Sequence, residues 1–233
     1  NLPLIFDAGE KQNEMRASAI AREFGLNYIL KGDGSEYERI KEIKHLQNSL
    51  IVSLNFPQAY DLSDPYDALN ISLHDLKNWE LAPYNPAILE EAGINFALTL
   101  SDLKNKADFW KNLRKAIANG LSEQQALKSL TYTPAQLLKQ EQKIGSLKNG
   151  MIANFIISSG SLFDKESVIY ENWIKGIRYT INDPGLEDIR GNYTLSIKGD
   201  KAYRLKIAGE LMSPEFTIYQ DTVAVKATGN RIS

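Results

Sequence analysis

The sequence predicts an α/β protein: strand–helix units with parallel strands, then a small β segment, then an antiparallel β domain. Three observations carry this. Short apolar runs alternate with helical periodicity as far as residue 143. Beyond that point the period falls to two. The chain has 233 residues, and a chain of that size buries about 70% of its unfolded surface. The expected parts are residues 1–143, 144–185 and 186–233.

Residues 2–6 are a short apolar run, read as a buried strand. Met15, Ala19, Ile20 and Phe24 recur at helical spacing, and Gly25 stops that helix. Residues 27–30 are the second strand. Ser35-Glu36-Tyr37-Glu38 has the form of a capping box, in which hydroxyl and carboxylate satisfy each other's backbone N–H groups. The helix it opens turns Tyr37, Ile40, Ile43 and Leu46 inward. Residues 50–54 are the third strand, closed by Asn55-Phe56-Pro57. Residues 58–84 read as a long irregular loop holding Asp61, Asp64, Pro65, His74 and Trp79, and loops of that length are usually functional or disordered. A helix over residues 86–92 stops at Gly93. Residues 94–100 are the fourth strand, and Phe109, Leu113 and Ile117 mark the helix after it. Four strand-then-helix units in succession call for parallel strands.

Two more helix starts follow. Ser122-Glu123-Gln124-Gln125 is a capping box, and Thr133-Pro134-Ala135-Gln136 is a second, with proline where its missing N–H costs nothing. Residues 144–147, 154–158 and 168–181 are β segments, the last folded at Lys175-Gly176. Asn182-Asp183-Pro184-Gly185 is the expected linker. After it, Tyr193, Leu195 and Ile197 alternate with Thr194, Ser196 and Lys198. Tyr203, Leu205 and Ile207 repeat the pattern, as do Phe216 with Ile218 and Val223 with Val225. Gly199-Asp200 reads as a two-residue hairpin turn. The tail is expected to be an antiparallel meander with one face buried and one wet.

Composition narrows the chemistry. Lysine plus arginine number 27 against 29 acidic residues, a net charge of −2, so no basic footprint for nucleic acid is expected. No apolar run approaches the roughly 18 residues of a membrane span. The first residues run straight into a strand-like segment without a signal-peptide pattern, so the chain reads as a fragment and its compartment is left open. The absence of cysteine excludes disulfides, thiolate nucleophiles and cysteine–metal sites. His45 and His74 are the two histidines.

Among candidate site residues, Asp102 follows the fourth strand and is the foremost catalytic candidate, with a helix or turn cap as its structural alternative. Asp7 ends the first strand and reads as a ligand or a strand-end loop residue. His45 falls on the polar face of a helix. His74 lies in the loop beside Asp75, where an imidazole can titrate near neutral pH. Gly32-Asp33-Gly34-Ser35 before a helix could cradle a phosphate, but it lacks the lysine and the spacing of a P-loop. Tyr170, Trp173 and Tyr179 are read either as a sugar-stacking platform or as packed strand aromatics. No serine has a histidine at a recognisable spacing, so a serine hydrolase is not supported.

Four segments carry a family resemblance: Gly120-Leu121-Ser122-Glu123-Gln124-Gln125-Ala126-Leu127, Thr131-Tyr132-Thr133-Pro134-Ala135, Ile144-Gly145-Ser146-Leu147-Lys148-Asn149-Gly150, and Trp173-Ile174-Lys175-Gly176. They resemble the carboxy-terminal part of the amidohydrolase superfamily. Leu98-Thr99-Leu100-Ser101-Asp102 resembles the end of its eighth barrel strand, and the opening is similar to strands five to eight of the imidazolonepropionase-like branch. The resemblance implies strand–helix units 5–8 of a TIM barrel, with residues 144–185 returning to a composite β-sandwich. It implies metal-dependent hydrolysis of amide or cyclic amide C–N bonds, with a divalent metal, usually zinc, that activates water. In that family the strand-eight aspartate, here Asp102, ligates metal and shuttles the proton.

The chain departs from the family at its ligands. It has no His-x-His pair, Asp7 stands where a strand-five histidine is expected, and Leu30-Lys31-Gly32-Asp33 has no histidine after strand six. Met151 and Asn154 replace the usual lysine and aspartate of the tail motif. Zinc wants about four tight ligands, so no metal ligand and no cofactor is expected in this chain. The expected function is that of a carboxy-terminal amidohydrolase fragment, inactive alone. The alternative is a non-catalytic barrel half acting as a structural or binding module. The expected partner is the remainder of the same polypeptide or a second copy, because the open strands carry Leu4, Phe6, Ile29, Ile51, Leu54, Phe96, Leu98 and Leu100.

Overall fold

The computed structural model describes residues 2–61, 63, 66, 69–182, 188–196, 202–210, 213–220 and 223–227. It divides into two compact units, residues 1–154 with 163–165, and residues 155–162 with 166–233.

The first unit is built on four parallel strands in sequential order: β1 (Leu4–Gly9), β2 (Tyr28–Gly32), β3 (Leu50–Ser53) and β4 (Phe96–Thr99). Parallel neighbours need crossovers. These contain α1 (Lys11–Glu23), α2 (Ile40–Leu46), and α3 (Leu73–Leu81) with α4 (Asn85–Glu91). Three helices follow β4: α5 (Phe109–Ala118), α6 (Glu123–Leu130) and α7 (Tyr132–Leu137). Strand register sorts the side chains into two faces. Leu30, Leu50 and Phe96 form one row, with Val52 and Leu98 beside them on the same face. These residues pack with Ala17, Ile43, Leu89, Leu113, Ala116 and Ala126 of the helices. Full burial of each large member contributes about 1.5–3 kcal/mol. The opposite face carries Asp7, Lys31, Ile51 and Ala97 in a single row.

The second unit holds two antiparallel sheets. β5 (Phe155–Ser158), β6 (Ile169–Ile174) and β7 (Ile177–Thr180) form one, in the order β5-β6-β7. Its hairpin turns at Lys175 and Gly176, with φ of 52° and 78°, the doubly positive pair that matches strand twist. The other sheet is the meander β8 (Gly191–Ser196), β9 (Ala202–Glu210), β10 (Ser213–Gln220) and β11 (Val223–Ala227). Tyr193, Leu205, Ile218 and Val225 stand opposite one another across it. The expected linker positions 183–185, strand residue Ile197 and the turn at Gly199-Asp200 lie outside the described residues.

Several local expectations are corrected. The strand read over residues 2–6 runs later and is not buried: Leu4, Ile5 and Phe6 are each more than 40% exposed, because β1 is an edge strand. Helix α1 is rotated from its expected face. Ala17 and Ala21 pack inward and the Ser18 hydroxyl donates to Asn48 Oδ1 at 2.7 Å, which leaves Ile20 and Phe24 exposed. Ser35 makes no cap. A 3₁₀ turn, Glu36–Arg39, precedes α2, and the Glu36 carboxyl is buried. Residues 58–84 are not wholly irregular, since Ser72 Oγ accepts from the Asp75 N–H at 3.1 Å and starts α3. That helix buries no residue, so its apolar period is weak. Asp64 and Pro65 are outside the described residues. Helix α7 starts at Tyr132, not at the second capping box, and the Thr133 hydroxyl is buried without a hydrogen-bond partner. Residues 144–146 are bends and 147 has no regular structure, so no strand forms there.

Candidate functional site

Three chain segments meet at the carboxyl ends of the parallel strands. Asp7 on β1 stands opposite Lys31 on β2, so their side chains leave the same face of the sheet. Asp102 lies three residues past β4, which is two strands away from β2. Lys31 Nζ is nevertheless 2.8 Å from Asp7 Oδ2 and 3.0 Å from Asp102 Oδ2. The turn after β4 makes this reach possible. Ser53 Oγ donates to the Ser101 carbonyl at 2.8 Å, and the Ser101 N–H donates to Thr99 Oγ1 at 3.1 Å. Asp102 then adopts φ +69°, a left-handed conformation that aspartate tolerates better than most residues.

The side chain of Lys31 is 14% exposed, those of Asp7 and Asp102 65% and 47%. The hydrogen bond to Asp7 chiefly raises the Lys31 pKa, and Asp102 adds to it against the opposing effect of burial. The ammonium is therefore charged across the physiological range. Asp7 and Asp102 are legible in the sequence as strand-end carboxylates, whereas Lys31 shows there only as the absence of a histidine. Strand alternation held the signal: a lysine directly after an apolar run, at the same strand-end position as Asp7.

The histidines lie elsewhere. His45 is exposed on α2, its Nδ1 2.8 Å from the Lys41 carbonyl. His74 is not in a loop. It is in the first turn of α3, 3.5 Å from Glu38 and 3.7 Å from Asp75. Asp33 forms a local turn, accepting from the Ser35 N–H at 3.0 Å. The Gly34 N–H that a phosphate would use donates to Glu36 at 3.2 Å. In the second unit Trp173 stacks on Phe155 at 5.3 Å. Trp173 stands opposite Arg178 while Tyr179 stands opposite Asn172. Alternation thus puts Trp173 on one face of the sheet and Tyr179 on the other. A single three-ring platform is excluded, and the packing reading stands for Trp173.

A second acidic group lies at the same strand end. Glu14 and Glu36 are fully buried, and both are close to Gly32. Glu36 accepts from the Asn85 amide at 2.5 Å, while neither oxygen of Glu14 meets an N–H or hydroxyl donor, which leaves a proton held between the two acids as its hydrogen bond. A Cβ at Gly32 would lie 1.9 Å from Glu36 Oε1 and 2.1 Å from Glu14 Oε1. Gly32→Ala is therefore expected to destabilise the protein by about 3 kcal/mol, the combined cost of overpacking and a disrupted buried hydrogen bond. A urea midpoint within experimental error of the parent's would contradict this.

A groove of about 480 Å³ lies at the opposite, amino-terminal ends of the strands, lined by residues that include Leu4, Leu26, Ile29 and Leu137. It holds no pair of acid and base. In parallel β/α architectures chemistry sits at the carboxyl ends, so the Asp7–Lys31–Asp102 cluster is the better candidate. Its donors do not suit zinc. Two carboxylates without imidazole leave the usual four-ligand set unfilled, and a protonated amine between them is not a ligand. Among the described residues no three His, Asp or Glu side chains gather in a group that could hold a metal. No described helix is long and apolar enough to cross a membrane.

Comparison with known proteins bears on this arrangement. The model of the amidohydrolase family matches residues 76–183. An amidohydrolase from Thermotoga maritima MSB8 superposes with a TM-score of 0.61 at 25% identity, over 76% of this chain and 43% of that one. An uncharacterized protein superposes with a TM-score of 0.54 at 17% identity, over 77% and 46%. Molinate hydrolase does so at 0.50 and 13%, over 77% and 43%. The chain thus spans less than half the length of these solved structures. No curated protein matches it. The family that this chain resembles, in sequence over residues 76–183 and in fold over three-quarters of its length, is the amidohydrolase family.

Proposed function

We propose that this chain is the carboxy-terminal part of an amidohydrolase-like hydrolase of amide or cyclic amide C–N bonds, with β1–β4 as barrel strands five to eight. The observation that supports this most is the meeting of Asp7, Lys31 and Asp102 at the carboxyl ends of four sequentially ordered parallel strands. Asp102 holds the place of the family's proton-shuttling aspartate. Its carboxylate is ion-paired with Lys31, which competes for the lone pairs a general base would use. No step is assigned to a metal, because the donor set does not fit one. Alone, the chain is inactive. Its exposed edge strand β1 is covered by the rest of the polypeptide or by a second copy.

The test is made on the purified 233-residue chain, prepared with added zinc and dialysed. Elemental analysis is expected to give far less than one equivalent, with no hydrolysis of N-acyl amino acids, cyclic imides or small peptides. Stoichiometric zinc together with C–N hydrolysis lost in Asp102→Ala would keep the hydrolase class and overturn the inactivity. Robust turnover of esters or glycosides that is untouched by Asp102→Ala would overturn the class. Light scattering over a concentration series is expected to show association, and a strictly monomeric mass would count against a second copy.

A further inference from the structure

We infer that the ammonium of Lys31 takes the place of a divalent cation: it is the positive charge that Asp7 and Asp102 bind at the strand ends, and it makes this a metal-free centre. The inference deepens the reading proposed above and rests on it only for the comparison with a metal centre.

The geometry carries it. Lys31 Nζ lies 2.8 Å from one carboxylate and 3.0 Å from the other, and the two belong to segments separated by the width of three strand pairings. Ion-pair hydrogen bonds of this length are the strong kind. The lysine side chain leaves the sheet in the row that also carries Ile51 and Ala97, and its head reaches both acids. Asp102 is aimed by its own backbone, through φ +69° and the bonds among Ser53, Thr99 and Ser101. Such a conformation costs energy and persists where its surroundings over-determine it. A metal ion here would need the lysine to leave or to lose its proton, and the two flanking carboxylates favour the charged form. One cation between two anions also explains how carboxylates from distant strands come this close without mutual repulsion.

The test replaces the cation. Lys31→His and Lys31→Met are prepared in the full chain and checked for folding by circular dichroism. Each is titrated with Co²⁺ and followed by visible absorption. The parent is expected to leave the spectrum of aqueous cobalt unchanged. Lys31→His supplies an imidazole between two carboxylates and is expected to bind Co²⁺ at least tenfold more tightly than the parent, with the absorption lost again when Asp102→Asn is added. Lys31→Met leaves the carboxylates facing each other unpaired. Its melting temperature is expected to fall by several degrees and to recover in part with MgCl₂ or CaCl₂ at matched ionic strength, while the parent is indifferent. Saturable Co²⁺ binding by the parent that disappears in Asp7→Asn would overturn the inference. So would folded variants that respond to divalent ions no more than the parent does. No substrate enters this experiment, so its outcome is separate from that of the hydrolase assays.

Discussion

Glutamine in place of Glu14 is expected to raise stability at pH 8 by about 2 kcal/mol and to remove much of the protein's loss of stability with rising pH. Glu14 sits in the first turn of α1 with its carboxyl fully buried. Burial is the main force on its pKa, followed by the charge of Glu36, the hydrogen bond between the two acids and the charge of Asp33, with Lys11 opposing. Together they push it up to about 9. Glu36 is raised as well, again chiefly by burial. At neutral pH the pair therefore holds a proton that the unfolded chain releases above pH 4.5. The folded state binds more protons than the unfolded state between that point and about pH 9, so stability falls as pH rises through this window. The slope is about 1.4 kcal/mol per pH unit for each full proton. Urea unfolding at pH 5, 7 and 9 measures it. The parent is expected to weaken steadily, and Glu14→Gln, which keeps the shape and donates an N–H permanently, is expected to vary far less. Asp188, held down to about 2 by Arg190, loses its contribution only at more acid pH, outside this range. Parallel curves for parent and variant would refute the shared proton.

The same carboxyl pair lies beyond what a local sequence pattern encodes. Ser35-Glu36-Tyr37-Glu38 matches the capping-box pattern, and pattern alone cannot tell a glutamate that caps from one that is buried. Glu36 went inward because Asn85, 49 residues later, presents an amide at 2.5 Å, and partners so remote leave no trace in a local window. Helix α1 misled for a related reason. Met15 of the expected stripe packs against the core, but Ile20 and the C-cap residue Phe24 are exposed while Ala17 and Ala21 are buried, so the second half of the conspicuous stripe lies off the packed face. What the sequence did carry was the order of the parallel strands, the hairpin at Lys175-Gly176 and the alternation of the tail. Each of these follows from short-range period or from one turn. Asp102 was legible because it ends a strand-like run. Its salt bridge to Lys31 was not, since that depends on the left-handed turn that carries the carboxylate back across β3.

Gly145→Ala is expected to destabilise the protein by about 4 kcal/mol. The glycine belongs to the Gly145-Ser146-Leu147 segment that bears part of the family resemblance. Its φ is +91°, and a Cβ there would lie 2.7 Å from the Ala135 methyl, 2.9 Å from the Thr131 carbonyl oxygen and 3.1 Å from Tyr132 Cα. Two costs combine. A left-handed conformation costs an alanine about 1–2 kcal/mol, and overpacking against the surroundings adds about 1–3 kcal/mol. Two of the three obstacles are backbone atoms at the start of α7, so relief requires moving the helix, not turning a side chain. Ala135 is nearly fully buried, so that movement would also open the contact beneath the helix. Chemical denaturation provides the measurement, with Gly150→Ala as the control. Gly150 shares a positive φ of +87° but meets nothing within 4 Å. The control is expected to lose only the conformational part, about 1–2 kcal/mol. Equal losses at the two positions would mean that the helix start yields freely. A larger loss at Gly145 locates the role of the segment in close backbone approach, which is the physical reason a glycine is required there.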